Sequence, residues 1–388
     1  MKTKAFLTIA FAALVIMSTG CKKSSFWSPT PGDRISFRAS SSLPIGNNAT
    51  RTAYSGEYFT VEDEYHATPY KMERIDWVAG DLITVAYIST DGDQLWNTDT
   101  GAYRITDVWN NNGLVSFANI EPKNGNALQW RDAPIHMFYA CYPAVDEDEE
   151  YVFSTEGGMH ATVPFDFPQA QQLTRSATDA NVYLPDMAHA PLLCGDSTPY
   201  QSPTNFDRYV ELKFDPHFTA FEFQAAAKED DSFTVNSFTL SSANTFITGR
   251  FLWSMDPTDN NEWHDFAKEG ATYKTATVDF TALNNGNPIS LTDSQPITFT
   301  VIVCCPDVVG GSNYLQDLTI TFNINKDGTP VNRSLKLAYS YGTDNYVAFA
   351  HNRKHRIYGL RVPLEIGPGS LWFEGVDAGS YTDDNLSE

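Results

Sequence analysis

Leu318-Thr319-Ile320-Thr321-Phe322 places an apolar side chain at every second position. Successive side chains of an extended chain point to opposite faces, so this run reads as a strand with one face in a core and one in water. Working outward, the same reading fits Phe233-Thr234-Val235-Asn236-Ser237-Phe238-Thr239-Leu240, Ile297–Val303 and Tyr209-Val210-Glu211-Leu212-Lys213-Phe214. In the first half it fits Arg34-Ile35-Ser36-Phe37-Arg38-Ala39, Leu82–Ile88 and Ile135–Ala140. Thr219 to Lys228 also begins with strand alternation, Thr219-Ala220-Phe221-Glu222-Phe223, and is read as a strand. Gly, Pro, Asn and Asp separate the runs, and no long helical periodicity interrupts them. Many short strands between turn signals predict an all-β chain built as sandwiches or barrels.

The amino terminus has a different grammar. Met1-Lys2-Thr3-Lys4 is basic, Ala5 to Met17 is almost wholly apolar, and Ser18-Thr19-Gly20 leads to Cys21. A membrane-spanning helix needs about 20 apolar residues, so the run reads as a secretory signal that is removed. Gly20-Cys21 then reads as the end of a lipobox, with Cys21 lipidated. Ser18 stands where a lipobox usually has an aliphatic residue, and the nearest large apolar residue is Met17. Lys22-Lys23-Ser24-Ser25 suits a tether.

After residues 1–20, the chain is long enough for two domains at roughly 100–200 residues each. Expected boundaries are 21–50 for the tether and a removable first strand, 51–205 and 206–366 for two β domains, and 367–388 for an acidic tail. The boundary near 205 rests on the Pro-, Ser-, Thr- and Asn-rich stretch from Asp196 to Asp207. A net charge of −22 excludes nucleic acid, whose phosphates need a basic surface. It suits a protein that stays soluble outside a cell.

Catalytic chemistry has no anchor in the sequence. Its eight histidines and its carboxylates form no His-Glu-x-x-His, Gly-x-Ser-x-Gly or glycine-rich phosphate loop. No catalytic residue, metal ligand or cofactor is expected. The five cysteines lack zinc spacing. With Cys21 lipidated, Cys141, Cys194, Cys304 and Cys305 read best as small buried hydrophobes, although Cys141 with Cys194 could pair. The carboxylates Asp146–Glu150 read as a solvated loop in preference to a calcium site, and Asp91-Gly92-Asp93, with Asp99 beyond, as a hairpin turn. His351, Arg353, Lys354, His355 and Arg356 read as a solvated turn before the last strand, or else a docking patch for an acidic neighbour. Trp96, Trp109, Trp130 and Trp253 invite a sugar-stacking reading, but most tryptophans are largely buried.

Several segments taken in order resemble a known family. Thr50-Arg51-Thr52-Ala53-Tyr54-Ser55-Gly56 and Glu73-Arg74-Ile75-Asp76-Trp77-Val78-Ala79-Gly80-Asp81-Leu82-Ile83 resemble the N-terminal signature of the fimbrillin-like lipoproteins, the pilins of Bacteroidia-type bacteria. Tyr139-Ala140-Cys141-Tyr142-Pro143 resembles the family's Tyr-Ala-x-Tyr-Pro strand end. Leu184–Ala190 resembles its Leu-Met-x-Ala segment, and Leu212–Phe223 the start of its second domain. The likeness runs over about residues 15–365.

The resemblance implies two tandem transthyretin-like Greek-key β-sandwiches. It implies a precursor acylated at Cys21 (palmitate) and carried to the outer membrane. A trypsin-like surface protease then cuts after an arginine near the N-terminus, and another pilin subunit fills the opened groove with a strand. Arg34 to Ala39 is the candidate removable strand, with Ile35, Phe37 and Ala39 on one face. Arg51, after the turn-rich Gly46–Thr50, is the first candidate cleavage site, and Arg38 the second. Leu360, Val362, Leu364 and Ile366 read as the last strand of the second domain. The tail beyond Gly367 is a poor strand donor, which counts against a stalk role and leaves tip, anchor or accessory subunit open. The expected function is a fimbrial subunit serving cell adhesion, not an enzyme. The alternative is a stand-alone surface glycan-binding lipoprotein of a nutrient-uptake system.

Overall fold

The computed structural model describes residues 31–41, 53–61, 70–90, 95–110, 116–133, 135–145, 152–154, 160–194, 200–201, 209–255, 263–304, 314–315, 318–337, 349–350, 353–365 and 375–380. Strands dominate. The α-helix among these residues is a single turn, Phe280–Leu283, capped by the Asp279 carboxylate.

The first half contains β1 (Phe37–Ser41), β2 (Ala53–Val61), β3 (Tyr70–Asp76), β4 (Leu82–Thr90), β5 (Leu95–Asn110), β6 (Ser116–Pro122) and β7 (Ile135–Tyr142). Then come β8 (Val152–Ser154), β9 (His160–Phe167), β10 (Ala170–Gln171), β11 (Leu173–Arg175), β12 (Val182–Pro185), β13 (Leu192–Cys194), β14 (Tyr200–Gln201) and β15 (Val210–Pro216). Strand neighbours run β13-β15-β1-β6-β5-β4-β7, and β7 also pairs with β13. The pairing therefore closes on itself, so this part of the chain forms a barrel rather than an open layer. Closure removes the free edges that an open sheet must protect. In β15, Val210, Leu212 and Phe214 are buried while Glu211 and Lys213 face water, as period-two alternation demands. Strands β4 and β7 are buried along both faces, which is why Leu82–Ile88 reads as a nearly continuous apolar run.

The second half contains β16 (Thr219–Ala227), β17 (Ser232–Ser242), β18 (Thr248–Met255), β19 (Trp263–Tyr273), β20 (Thr275–Asp279), β21 (Ile289–Thr292) and β22 (Ile297–Val303). It ends with β23 (Tyr314–Leu315), β24 (Leu318–Lys326), β25 (Thr329–Lys336), β26 (Phe349–Ala350), β27 (Arg353–Val362) and β28 (Gly375–Ser380). One sheet runs β10-β20-β17-β24-β25, with β21 beside β17, and another runs β11-β12-β22-β16-β27-β28. Their inner faces meet through Phe223, Phe238, Phe299 and Phe322. Phe238 lies 4.7 Å from Phe223, 4.8 Å from Phe299 and 5.1 Å from Phe322 between ring centroids. Rings at such separations attract beyond their buried area.

Local chemistry sets the finer features. Asp327 and Gly328 both have positive φ and join β24 to β25 as a two-residue turn of the kind Asp-Gly favours. In β17 the register slips by one residue between Val235 and Ser237, a bulge at Asn236. The slip keeps Phe233 and Val235, then Phe238 and Leu240, all facing the core.

The halves interleave. Residues 170–185 supply β10, β11 and β12 to the two sheets of the second half, where β12 lies parallel to β22 and β10 parallel to β20. The chain then returns, because β15 hydrogen-bonds in the first-half barrel. The change of sheet falls between Pro216 and Thr219, beyond the residue-205 boundary expected from composition. A four-strand sheet, β19-β18-β9-β8, also draws on both halves. The strand expected to end near Ile366 is β27, ending at Val362. Gly375–Ser380, within the expected tail, adds β28 along its edge.

Candidate interaction site around the first strand

Residues 31–41 are held on several sides. Before β1, the Gly32 N–H donates to the Trp130 carbonyl (2.8 Å), the Trp130 N–H to Asp33 (2.9 Å) and the Ile35 N–H to Leu128 (2.9 Å). β1 then runs antiparallel to β6, with Ala39 opposite Ala118, and parallel to β15, with Ala39 opposite Leu212. The Val210 N–H donates to the Ser36 carbonyl at 2.8 Å.

The sequence assigned Ile35, Phe37 and Ala39 to one face, and the structure brings all of them into the barrel core. Phe37 meets Tyr103 (5.3 Å, 82°) and Phe138 (5.4 Å, 76°) edge-on. Tyr103 is fixed in turn, because its hydroxyl accepts from the Leu128 N–H at 2.9 Å. Burial is the main cause that lifts the Tyr103 phenol to about 12, so it stays neutral at working pH. Ala39 is fully buried between neighbouring strands, a place for a small side chain. Ser40 Oγ donates to Glu211 Oε1 at 3.2 Å, and Ser41 Oγ to the Ile75 carbonyl at 3.2 Å.

Arg38 faces outward but is not simply solvated. Its guanidinium carbon lies 5.2 Å from the Trp109 ring and 4.6 Å from the Tyr209 ring. Both are within cation–π range. Arg38 Nε is shielded from water without a hydrogen-bond partner. Trp109 is backed by Phe117, stacked at 5.9 Å and 16°. The sequence makes Arg38 a cleavage candidate but carries no local sign of these ring contacts, because Tyr209 lies far away along the chain.

Cys21 and Arg51 lie outside the described residues, as do Cys305, Asp146–Glu150, Asp91–Asp93 and His351. Asp99 pairs with Arg131 at 3.4 Å. Cys141, Cys194 and Cys304 are buried thiols. Trp130 and Trp253 are buried in the first core, so neither offers a face to a sugar. Among the described residues no helix is long and apolar enough to cross a membrane.

One expectation needs correction. Lys354 and His355 are not in a solvated turn; they are buried inside β27. The adjacent strand supplies the reason. Glu222 of β16 receives Lys354 Nζ at 2.5 Å and Arg356 Nε at 2.7 Å. Burial acts to raise the Glu222 carboxyl, but the Lys354 and Arg356 charges outweigh it and hold the group at about 2. His355 lies on the other face, stacked on Phe221 at 5.4 Å. The cluster is structural cement between strands, not a free docking patch.

Taken together, the geometry describes a barrel whose closure depends on one short strand near the amino end. No protein-family model matches the chain, and no curated protein sequence does. Among solved structures it is similar to a candidate cell adhesion protein from Bacteroides uniformis (TM-score 0.45, 12% identity, 90% of this chain and 98% of that one). A candidate cell adhesion protein from Bacteroides ovatus gives TM-score 0.45 and 11% identity, over 92% of this chain and 100% of that one. The tip fimbrial protein Mfa3 from Porphyromonas gingivalis gives TM-score 0.34 and 5% identity, over 77% and 94%. The functional reading rests on the chain's own residues.

Proposed function

We propose that this chain is a lipid-anchored subunit of a pilus-like surface polymer that serves adhesion. Its precursor is acylated at Cys21 and held at the outer membrane, and its partners are other pilin subunits. Its task is association rather than bond-making. A trypsin-like surface protease cuts after Arg51, the first strand leaves, and a neighbour's strand replaces it. Arg38 is the poorer cleavage site, because it is paired on both sides within the barrel.

The observation that carries this reading is the position of β1. It is the link between β6 and β15. Without it, two strand edges and the space filled by Phe37 open together. Strand addition satisfies both needs, through main-chain hydrogen bonds and alternate side chains in pockets. One neighbour of β1 is antiparallel and the other parallel, so an incoming strand running either way meets one of each.

The test is limited trypsin digestion of residues 22–388, followed by gels with and without boiling. Cleavage after Arg51 with heat-labile ladders is the expected result. An uncut monomer, or a cut one that never associates, would overturn strand exchange. Replacing Cys21 with Ala is expected to abolish fatty-acid labelling in cells.

A further inference from the structure

We propose that the groove left by the first strand selects a basic strand: one with a large aromatic residue, then Arg or Lys, then a small residue. The inference rests on the exchange reading above and names the chemistry of the partner. The inner face sets the outer limits of the pattern. The Phe37 position is walled by the Tyr103 and Phe138 rings, each nearly perpendicular to Phe37, and the Ala39 position is closed by Ala118 and Leu212 on either side. These requirements admit many strands, since apolar alternation is common to all half-buried ones.

The outer face adds the selective element. Trp109 belongs to β5, and Tyr209 immediately precedes β15, so both rings stay behind when residues 31–41 leave. Glu211 also stays, directly across from the Arg38 position in the β15 register. The faces of aromatic rings carry negative potential. The emptied position therefore presents two ring faces and a carboxylate. A cation is drawn there, a neutral side chain loses that attraction, and an acid is opposed by the rings and by the like charge across the strand pair. The occupant to which this points is an extended segment of another polypeptide that repeats the Phe-Arg-Ala logic of residues 37–39.

The test uses the chain of residues 22–388 with a recognition sequence for a specific endoprotease replacing residues 46–51, so that cutting is certain. After the cut, fluorescent peptides reading residues 33–41 are added in excess, and their retention on the protein is followed on native gels. The peptides are the parent sequence and its Arg38→Lys, Arg38→Gln and Arg38→Glu forms. The parent and Lys peptides are expected to enter. The Gln peptide should enter about tenfold more weakly and the Glu peptide more weakly still. In Trp109→Leu and Tyr209→Leu proteins, the gap between Arg and Gln peptides should shrink to what the Glu211 carboxylate supplies, while the parent peptide still binds through its Phe. Equal retention of the Arg and Glu peptides, or an Arg–Gln gap undiminished by loss of both rings, would overturn the selectivity. If the parent peptide never enters, strand exchange itself has failed and selectivity falls with it. Entry of the parent peptide thus separates the two failures.

Discussion

Phe37 contributes the most apolar surface from the first strand to the core, and its neighbours Tyr103 and Phe138 cannot close over a hole without moving their own partners. Phe37→Ala should therefore cost about 3–5 kcal/mol, read as a lower denaturant midpoint at unchanged slope. Glu222 is the second decisive residue. Its carboxyl sits at about 2 when folded against 4.5 for the free group, so it binds its proton less readily in the native state. That stabilisation is complete above pH 4.5 and is lost as pH falls toward 2. Glu222→Gln should destabilise the protein at pH 7 by about 3–5 kcal/mol, because it leaves Lys354 and Arg356 without their counter-charge. It should also flatten the acid limb of the stability curve, and a limb as steep as in the parent protein would refute the assignment. Phe37 was legible in the sequence and Glu222 was not. Phe221-Glu222-Phe223 alternates like any half-exposed strand, and nothing local says that the second face is covered too. Lys354 and Arg356 misled for the same reason, since charges are solvated by default and their partner lies on a distant stretch of chain.

Most strands were readable one by one. Ile297–Val303 matches β22 residue for residue, and Leu318–Phe322 opens β24. A strand's existence is a local property, set by alternation and turn residues. Its neighbours are not, and this is why β15 could be recognised as a strand yet assigned to the second half. The bulge at Asn236 was also hidden, although its side chain pins the slip by donating to Asn323 (2.8 Å) and Asn325 (3.1 Å) of β24. The same distinction governs β1. Its own amides are protected while it stays, but so are the facing edges of β6 and β15. Hydrogen exchange should show those three strands losing protection together once β1 is cut and displaced, ahead of β17 and β24 in the other core. Continued protection of β6 and β15 after displacement would mean that they close on each other without it.

At the scale of the molecule, the interleaving decides how the protein comes apart. The chain crosses to the second core for residues 170–185 and returns for β13 and β15 before crossing again at Thr219. Each core is thus completed by sequence from the other side of the expected boundary. Leu173 and Tyr183 lie in the second core, while Val210, Leu212 and Phe214 lie in the first. A single cut between residues 202 and 208 severs the backbone but none of these contacts. The first fragment would still hold β10 to β12 in the second core, and the second fragment would still hold β15 in the barrel. Fully burying one large apolar side chain is worth about 1.5–3 kcal/mol, so several such residues on each side resist separation. The two pieces should co-elute on a sizing column in buffer and separate only in denaturant. Fragments that part in buffer would show that the exchanged strands add little, and that the halves are joined mainly by the chain between them.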